Sequence, residues 1–182
     1  MKRLYLILTV IVALFVFASL AVAKPPFWDD QINNPGRFKV LSEFGDAAVL
    51  DKETGLVWEK SPGDTDEDGD VDNDDKVSWN EAHNQCVGMR NVGNRRGWRL
   101  PTIQELLSLV DPSNPTGNPD LPLGHPFNIV QQNTYWSATT NIFNTSKARA
   151  VTFSNGLPDE LVKADFVGFV WCVRGGQGAD TQ

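Results

Sequence analysis

The 182-residue chain carries 16 Lys and Arg against 23 Asp and Glu, for a formal net charge of −7. An acidic balance is no footprint for nucleic acid, and the length leaves room for one ordinary domain beside an export signal.

Residues 1–23 read as a secretory signal peptide. Lys2 and Arg3 precede an apolar run from Leu4 to Leu20, and Ala21-Val22-Ala23 supplies a small-x-small cleavage pattern. An uncleaved anchor is the alternative, because the run approaches the roughly 18 residues of a spanning helix. No second hydrophobic run follows to hold the mature chain in a bilayer, and no Cys follows the signal to carry a lipid. The expectation is therefore an exported chain, periplasmic or at the cell surface, with no membrane partner after cleavage. Loss of Lys2 and Arg3 leaves 14 basic against 23 acidic residues, and eight of those acids lie between Asp64 and Asp75. The rest of the surface is nearly neutral, so the low isoelectric point belongs to one loop.

Residues 24–36, KPPFWDDQINNPG, are proline-rich and aperiodic, a leader before the fold. The domain spans 37–176, with 177–182 as a tail. FKVL and AAVLDKETGLVWEK predict strand, turn, strand, with Gly55 supplying the positive φ of the turn. The acidic segment DTDEDGDVDNDD follows at once. Asp density makes acidic matches to a calcium-loop template cheap, so the discriminating positions are the others. With Asp64 at position 1, Gly69 falls on the sharp turn at position 6 and Val71 on the apolar position 8; a start at Asp66 or Asp68 puts Val71 or Asn73 where Gly is needed. Calcium takes six to eight oxygens, and carboxylates this crowded repel one another without a cation. The loop resembles those of EF-hands and, more closely, of dockerins. That resemblance implies Asp64, Asp66, Asp68 and Asp75 as side-chain ligands, Asp70 through its carbonyl, and Asp72 directly or through water. A dockerin carries two such loops and this chain one, so cohesin binding is not implied. The alternative is a solvated acidic run.

SWNEAHNQC has Ser78 three residues before Glu81, a capping box, with Trp79, Ala82 and Cys86 on one helical face. WRLPTIQELLSLVD repeats the device with Thr102 and Glu105, before the stripe Ile103, Leu106, Leu107 and Val110. Asp111 to Thr134 is rich in Pro, Asn and Gly; so long a connection in a compact domain is often functional. TYWSAT, ARAVTF and FVGFVWCVR predict three closing strands, with an Asn155-Gly156 turn after the second. Strands, two helices, a long loop and strands argue an α+β fold with antiparallel sheet. Cys86 and Cys172, an even pair in an exported chain, read as one disulfide, with a pair of reactive or metal-binding thiols as the alternative.

The words TGLVWEK, W-x-x-A-x-x-x-C from Trp79 to Cys86, WRLPT, YWSAT and CVRG together resemble the Lcl C-terminal domain family, a bacterial domain of unknown function. That family is similar in turn to C-type lectin-like and formylglycine-generating domains. The resemblance implies a C-type lectin-like fold, two helices on antiparallel sheets with a long irregular loop region, and it places Cys86 and Cys172 at the positions of the main lectin-fold disulfide. No Glu-Pro-Asn or Trp-Asn-Asp motif occurs in the long loop, so calcium-dependent sugar chelation is not implied and calcium has a structural role.

Three functions compete. The first is an exported adhesion-type module for a glycan or protein, with His125, Phe127, Tyr135, Trp136 and Asn141 as candidate contacts; the bland reading of Tyr135 and Trp136 is core. Arg90, Arg95, Arg96 and Arg99 form a candidate patch for an anionic glycan, or are solvated or structural. The second is a structural or assembly module of the cell envelope, in which the chain forms a homo-oligomer or packs against a larger envelope complex. The third is a formylglycine-generating-type enzyme. That chemistry needs a copper-binding cysteine pair. With no G-x-S-x-G, no H-E-x-x-H and only His83 and His125 as imidazoles, the expectation is no enzyme.

Overall fold

A computed structural model describes residues 36–64, 70–114 and 119–176. The expected signal peptide, almost all of the leader and the tail lie outside them. The elements are β1 (Phe38–Val40), a 3₁₀ turn (Ser42–Phe44), β2 (Ala48–Asp51), β3 (Val57–Glu59), α1 (Trp79–Gly88), β4 (Trp98–Arg99), α2 (Ile103–Leu107), β5 (Thr134–Thr140), β6 (Lys147–Thr152), β7 (Leu157–Val162) and β8 (Val173–Arg174). They form two antiparallel sheets, β1-β2-β3-β8-β4 and β5-β6-β7, accompanied by two helices. The class is α+β.

The β2–β3 hairpin forms around Gly55, whose φ of 73° is in the left-handed region that only Gly adopts freely. Both capping boxes close. Ser78 Oγ accepts the Glu81 N–H and Glu81 Oε2 accepts the Ser78 N–H, and Thr102 and Glu105 repeat the exchange. Two otherwise orphaned donors are satisfied at each helix start.

Strand alternation divides the core in two. On β3, Trp58 enters an aromatic core while Val57 packs against the second cluster. The first core is organised around Trp171, whose ring meets Phe127 at 5.0 Å, Phe153 at 5.5 Å, Trp58 at 5.6 Å and Tyr135 at 5.7 Å. Ile103 and Leu106 bring α2 to this side. The second core takes Ala82 and Cys86 from α1, with Trp98, Leu100, Trp136 and Cys172.

Two expectations change. FVGFVWCVR is not one strand: only Val173–Arg174 is β8, and Gly168 and Phe169 make single bridges to Val77 and Tyr135. The segment passes between the two sheets at close quarters. A Cβ on Gly168 would lie 3.1 Å from the Thr134 carbonyl oxygen and 3.3 Å from Trp136 Nε1. Conversely, LPDELV forms β7, which the strand signals pass over because Pro158, Asp159 and Glu160 break any apolar alternation. β7 is an edge strand with its first four residues exposed. Proline and acids there discourage further strand pairing.

Candidate functional site

Cys86 Sγ and Cys172 Sγ are bonded at 2.07 Å, joining α1 to the residue before β8. Helical spacing from Ala82 aims Cys86 inward, and both cysteines are fully buried. Beside this bridge opens a cleft of about 360 Å³, lined by Glu59, Gly63, Asp64, Gln85, Arg90 and Val170 among others. A second depression on the other side shares Glu59, Asp64 and Asn91. Two carboxylates therefore stand at the centre of a groove that runs past the end of α1.

Glu59 ends β3. Its N–H donates to the Cys172 carbonyl at 3.1 Å, its own carbonyl accepts Trp171 Nε1 at 2.9 Å, and its Oε2 accepts the Cys172 N–H at 3.4 Å. Burial pushes the carboxyl up to about 8 from an ordinary 4.5; the Cys172 N–H pulls it down, and the charge of Asp64 pushes it further up. A carboxyl whose folded pKa lies above its unfolded one favours the folded state when protonated. Its stabilising proton is fully present below about 4.5 and lost as pH rises through about 8. In EDTA, stability is expected to fall by about 2–4 kcal/mol across that window at no more than about 1.4 kcal/mol per pH unit. Glu59→Gln should flatten the profile and be the more stable protein at alkaline pH, checked by urea denaturation; parallel profiles would refute the assignment.

The acidic loop leaves Asp64 on the cleft wall. Its Oδ1 is shielded from solvent and meets no hydrogen-bond partner among the described residues. Asp66 and Asp68, with Gly69, lie outside the described residues. Val71, the apolar position 8, packs against the aromatic core, close over Gly63: a Cβ on that glycine (φ 106°) would come within 3.0 Å of Val71 Cγ1. Asp70 and Asp72 are exposed; Asp72 Oδ1 accepts the Asp74 N–H at 2.7 Å. Asp75 is 2% exposed, and its Oδ2 accepts the Asp72 N–H at 2.9 Å. The C-terminal half of the loop is thus folded onto the domain through Val71 and Asp75, not a uniformly solvated run. Among the described residues no three acidic, His or Cys side chains converge at metal-ligand spacing. The Asp64 and Asp75 carboxylates are oxygen donors of the kind a hard cation takes.

The long-loop contacts are placed differently from expectation. Tyr135 and Trp136 are fully buried and Phe127 is 6% exposed. Tyr135 OH accepts the Gln131 N–H at 2.8 Å, and Trp136 Nε1 donates to the Val77 carbonyl at 3.0 Å. All three are core, because a domain of this size must bury its largest rings to offset chain entropy. They present no surface to a ligand. His125 is half-buried and stacked 5.8 Å from Phe127; burial lowers its pKa against an opposing backbone interaction at Phe127, so the ring is neutral at neutral pH. Asn141 is taken up in the β5–β6 turn, where Oδ1 accepts two backbone N–H groups and Nδ2 donates to Glu160. Nor do these residues share one surface with the cleft. Among the described residues of this loop Leu121 is fully buried and the Asp120 N–H is bonded to the Phe153 carbonyl, while Leu123 and Ile129 are exposed.

Of the four arginines, Arg90, Arg95 and Arg96 are exposed. Arg99 is engaged by both oxygens of Glu105, at 2.7 and 2.8 Å, and by the Gly175 carbonyl. Burial alone would raise Glu105, but the hydrogen bonds from Arg99 and Thr102 and the Arg99 charge together outweigh it and hold its carboxyl below the usual range. Arg99 is therefore structural. Sequence reasoning missed Glu59. Its signal was present in TGLVWEK, where strand alternation sends the acid to the same side as Val57 while Trp58 goes into the aromatic core.

A comparison with curated proteins finds none that matches. The family model described as the Lcl C-terminal domain matches residues 47–174, from β2 to the end of β8, and the chain belongs to that family.

Proposed function

We propose that the protein is an exported recognition module, a C-type lectin-like domain stabilised by calcium at residues 64–75, that binds a glycan or protein outside the cytoplasm. The observation that carries this reading is the groove at Glu59 and Asp64. It is an open cleft beside the disulfide, its wall continuous with the acidic loop, and large enough for a small polar ligand. Calcium bound to the loop would discharge Asp64 and shape the entrance to α1. Arg90, Arg95 and Arg96 offer a cationic rim for an anionic glycan. The disulfide suits an oxidising compartment outside the cytoplasm, and no helix among the described residues is long and apolar enough to cross a membrane.

The module is read as non-enzymatic. Formylglycine-generating chemistry would need both cysteines as free thiols, and here Cys86 and Cys172 are bonded to each other. Thiols that titrate in the native exported protein would revive the enzyme.

Calorimetric titration with calcium, against an EDTA control, tests the stabilising ion. Affinity in the ~10⁻⁴ to 10⁻³ M range is expected, with Tm rising by about 5–10 °C at saturating calcium. Asp75→Ala should abolish both effects. Neither heat nor shift in the parent protein removes calcium from the reading. A glycan array with a parallel mass measurement tests recognition; no glycan bound by a stable oligomer would favour an envelope assembly module instead.

A further inference from the structure

We infer that the turn between β5 and β6 is a lipid-contacting finger that seats the exported domain reversibly on an anionic membrane surface. Ile142 and Phe143 are consecutive at the tip of this hairpin and 82% and 92% exposed. The other exposed large hydrophobics do not exceed 60%. Two adjacent apolar side chains in open water forgo the favourable transfer that the buried core residues obtain. Nothing within the described chain packs over them.

The backbone of the tip is what favours lipid over a protein partner. Asn141 Oδ1 accepts the N–H groups of Phe143 at 2.7 Å and Asn144 at 3.1 Å; Asn144 Oδ1 accepts the Ser146 N–H at 3.1 Å and its hydroxyl at 2.6 Å. The Asn141 N–H reaches the Lys147 carbonyl, and the Lys147 N–H the Asn144 carbonyl. Most of the donors at the tip are thus satisfied by the turn itself. Entering an apolar medium costs several kcal/mol for each peptide group left unbonded. A protein partner can supply missing bonds and hydrocarbon cannot, so a turn that bonds four of its six backbone N–H groups, all but those of Ile142 and Thr145, enters hydrocarbon at a reduced cost.

The collar of the finger is basic and aromatic. Lys163 donates its N–H to the Ser146 carbonyl and Nζ to Thr140 Oγ1 at the hairpin base, and lies 4.0 Å over the ring of Trp79. Lys147 stands at the start of β6. The nearby Glu160 carboxylate is already engaged by Asn141 and Arg149, leaving Asp165 to oppose the two lysines. Lysine and tryptophan beneath an apolar tip match the layering of a bilayer interface. Cations near an anionic surface strengthen the contact. Two apolar side chains with two lysines make a weak, reversible contact, not an anchor.

Flotation of the exported chain, its mass showing the N-terminal segment removed, tests this with vesicles of phosphatidylcholine with and without about one third phosphatidylglycerol. Binding is expected at millimolar lipid, stronger on the anionic vesicles. I142S/F143S should cut it about tenfold or more with an unchanged thermal transition, since neither side chain packs in the fold. K147Q/K163Q should remove the advantage of the anionic vesicles. The inference is overturned if the double serine variant floats like the parent, or if the parent floats on neither vesicle. It is equally overturned if the parent is a dimer that I142S/F143S converts to a monomer, which would make a second copy the occupant.

Discussion

Asp51→Ala is expected to destabilise the protein by about 3–5 kcal/mol, enough to remove a large share of the stability of a domain this size. Arg37 and Asp51 are 1% and 0% exposed. Their pairing is bidentate, Nε to Oδ1 at 2.9 Å and Nη2 to Oδ2 at 2.7 Å, and Nη2 also reaches the Ser108 carbonyl at the end of α2. Asp51 further accepts the Glu53 N–H and the Thr54 hydroxyl in the hairpin turn. Removing the carboxylate leaves a guanidinium buried with no counter-charge of equal quality, since Glu53 lies 3.4 Å away but is 42% exposed. Desolvation of a lone charge dominates the cost, so D51A should cost more than the pair is worth. An R37M/D51L double variant should lose less than the sum of R37M and D51L, and urea denaturation of the parent, the two single variants and the double variant measures the coupling. An independent effect of each substitution would contradict the pairing. Burial alone would raise Asp51, yet the Arg37 hydrogen bonds and charge hold its carboxyl below the ordinary 3.8. Its contribution is therefore present above about pH 4 and lost as pH falls through the lowered folded value, a direction opposite to that of Glu59.

The second large effect belongs to the disulfide. C86A/C172A should lose about 3–5 kcal/mol, because the bridge closes a loop across a sequence separation of 86 and so removes much of the freedom of the unfolded chain. Both cysteines are fully buried between α1 and the central strands, so the alanines add small cavities to that loss. The midpoint of denaturation should move with reductant in the parent and not in the variant. A parent insensitive to reductant under unfolding conditions would refute the bridge.

Short-range chemistry accounts for what was legible in advance. Both capping boxes, the Gly55 turn and the Asn155-Gly156 turn act over three or four residues, and each forms where its residues stand. The cysteine pair was also legible, through helical spacing and the even count. Less visible was anything decided by neighbours distant in the chain. β7 carries no apolar alternation and exists because β6 supplies a full ladder to Leu157–Val162. FVGFVWCVR alternates well enough to be a strand, yet it bridges Val77 through Gly168 and β5 through Phe169 and joins the five-stranded sheet only at Val173–Arg174. Tyr135 and Trp136 illustrate the same limit, since aromatic residues beside a long loop suit either a ligand or a core, and only the rings gathered about Trp171 and Cys172 make them core.

The acidic loop stands between these cases. Residue order alone selects one register for Asp64 to Asp75 through Gly69 and Val71, and the described half agrees with a folded segment because Val71 and Asp75 turn inward. That the loop's first carboxylate would share a groove with Glu59 depends on β3 lying against the residues before β8, a pairing across more than a hundred residues. Local spacing determines helix starts and turns, and the words shared along the chain mark the Lcl C-terminal domain family. Which side chains meet is settled by packing, because burial of the large rings outweighs the preferences of any single segment, and the groove beside the Cys86–Cys172 bridge is where that packing leaves two carboxylates together.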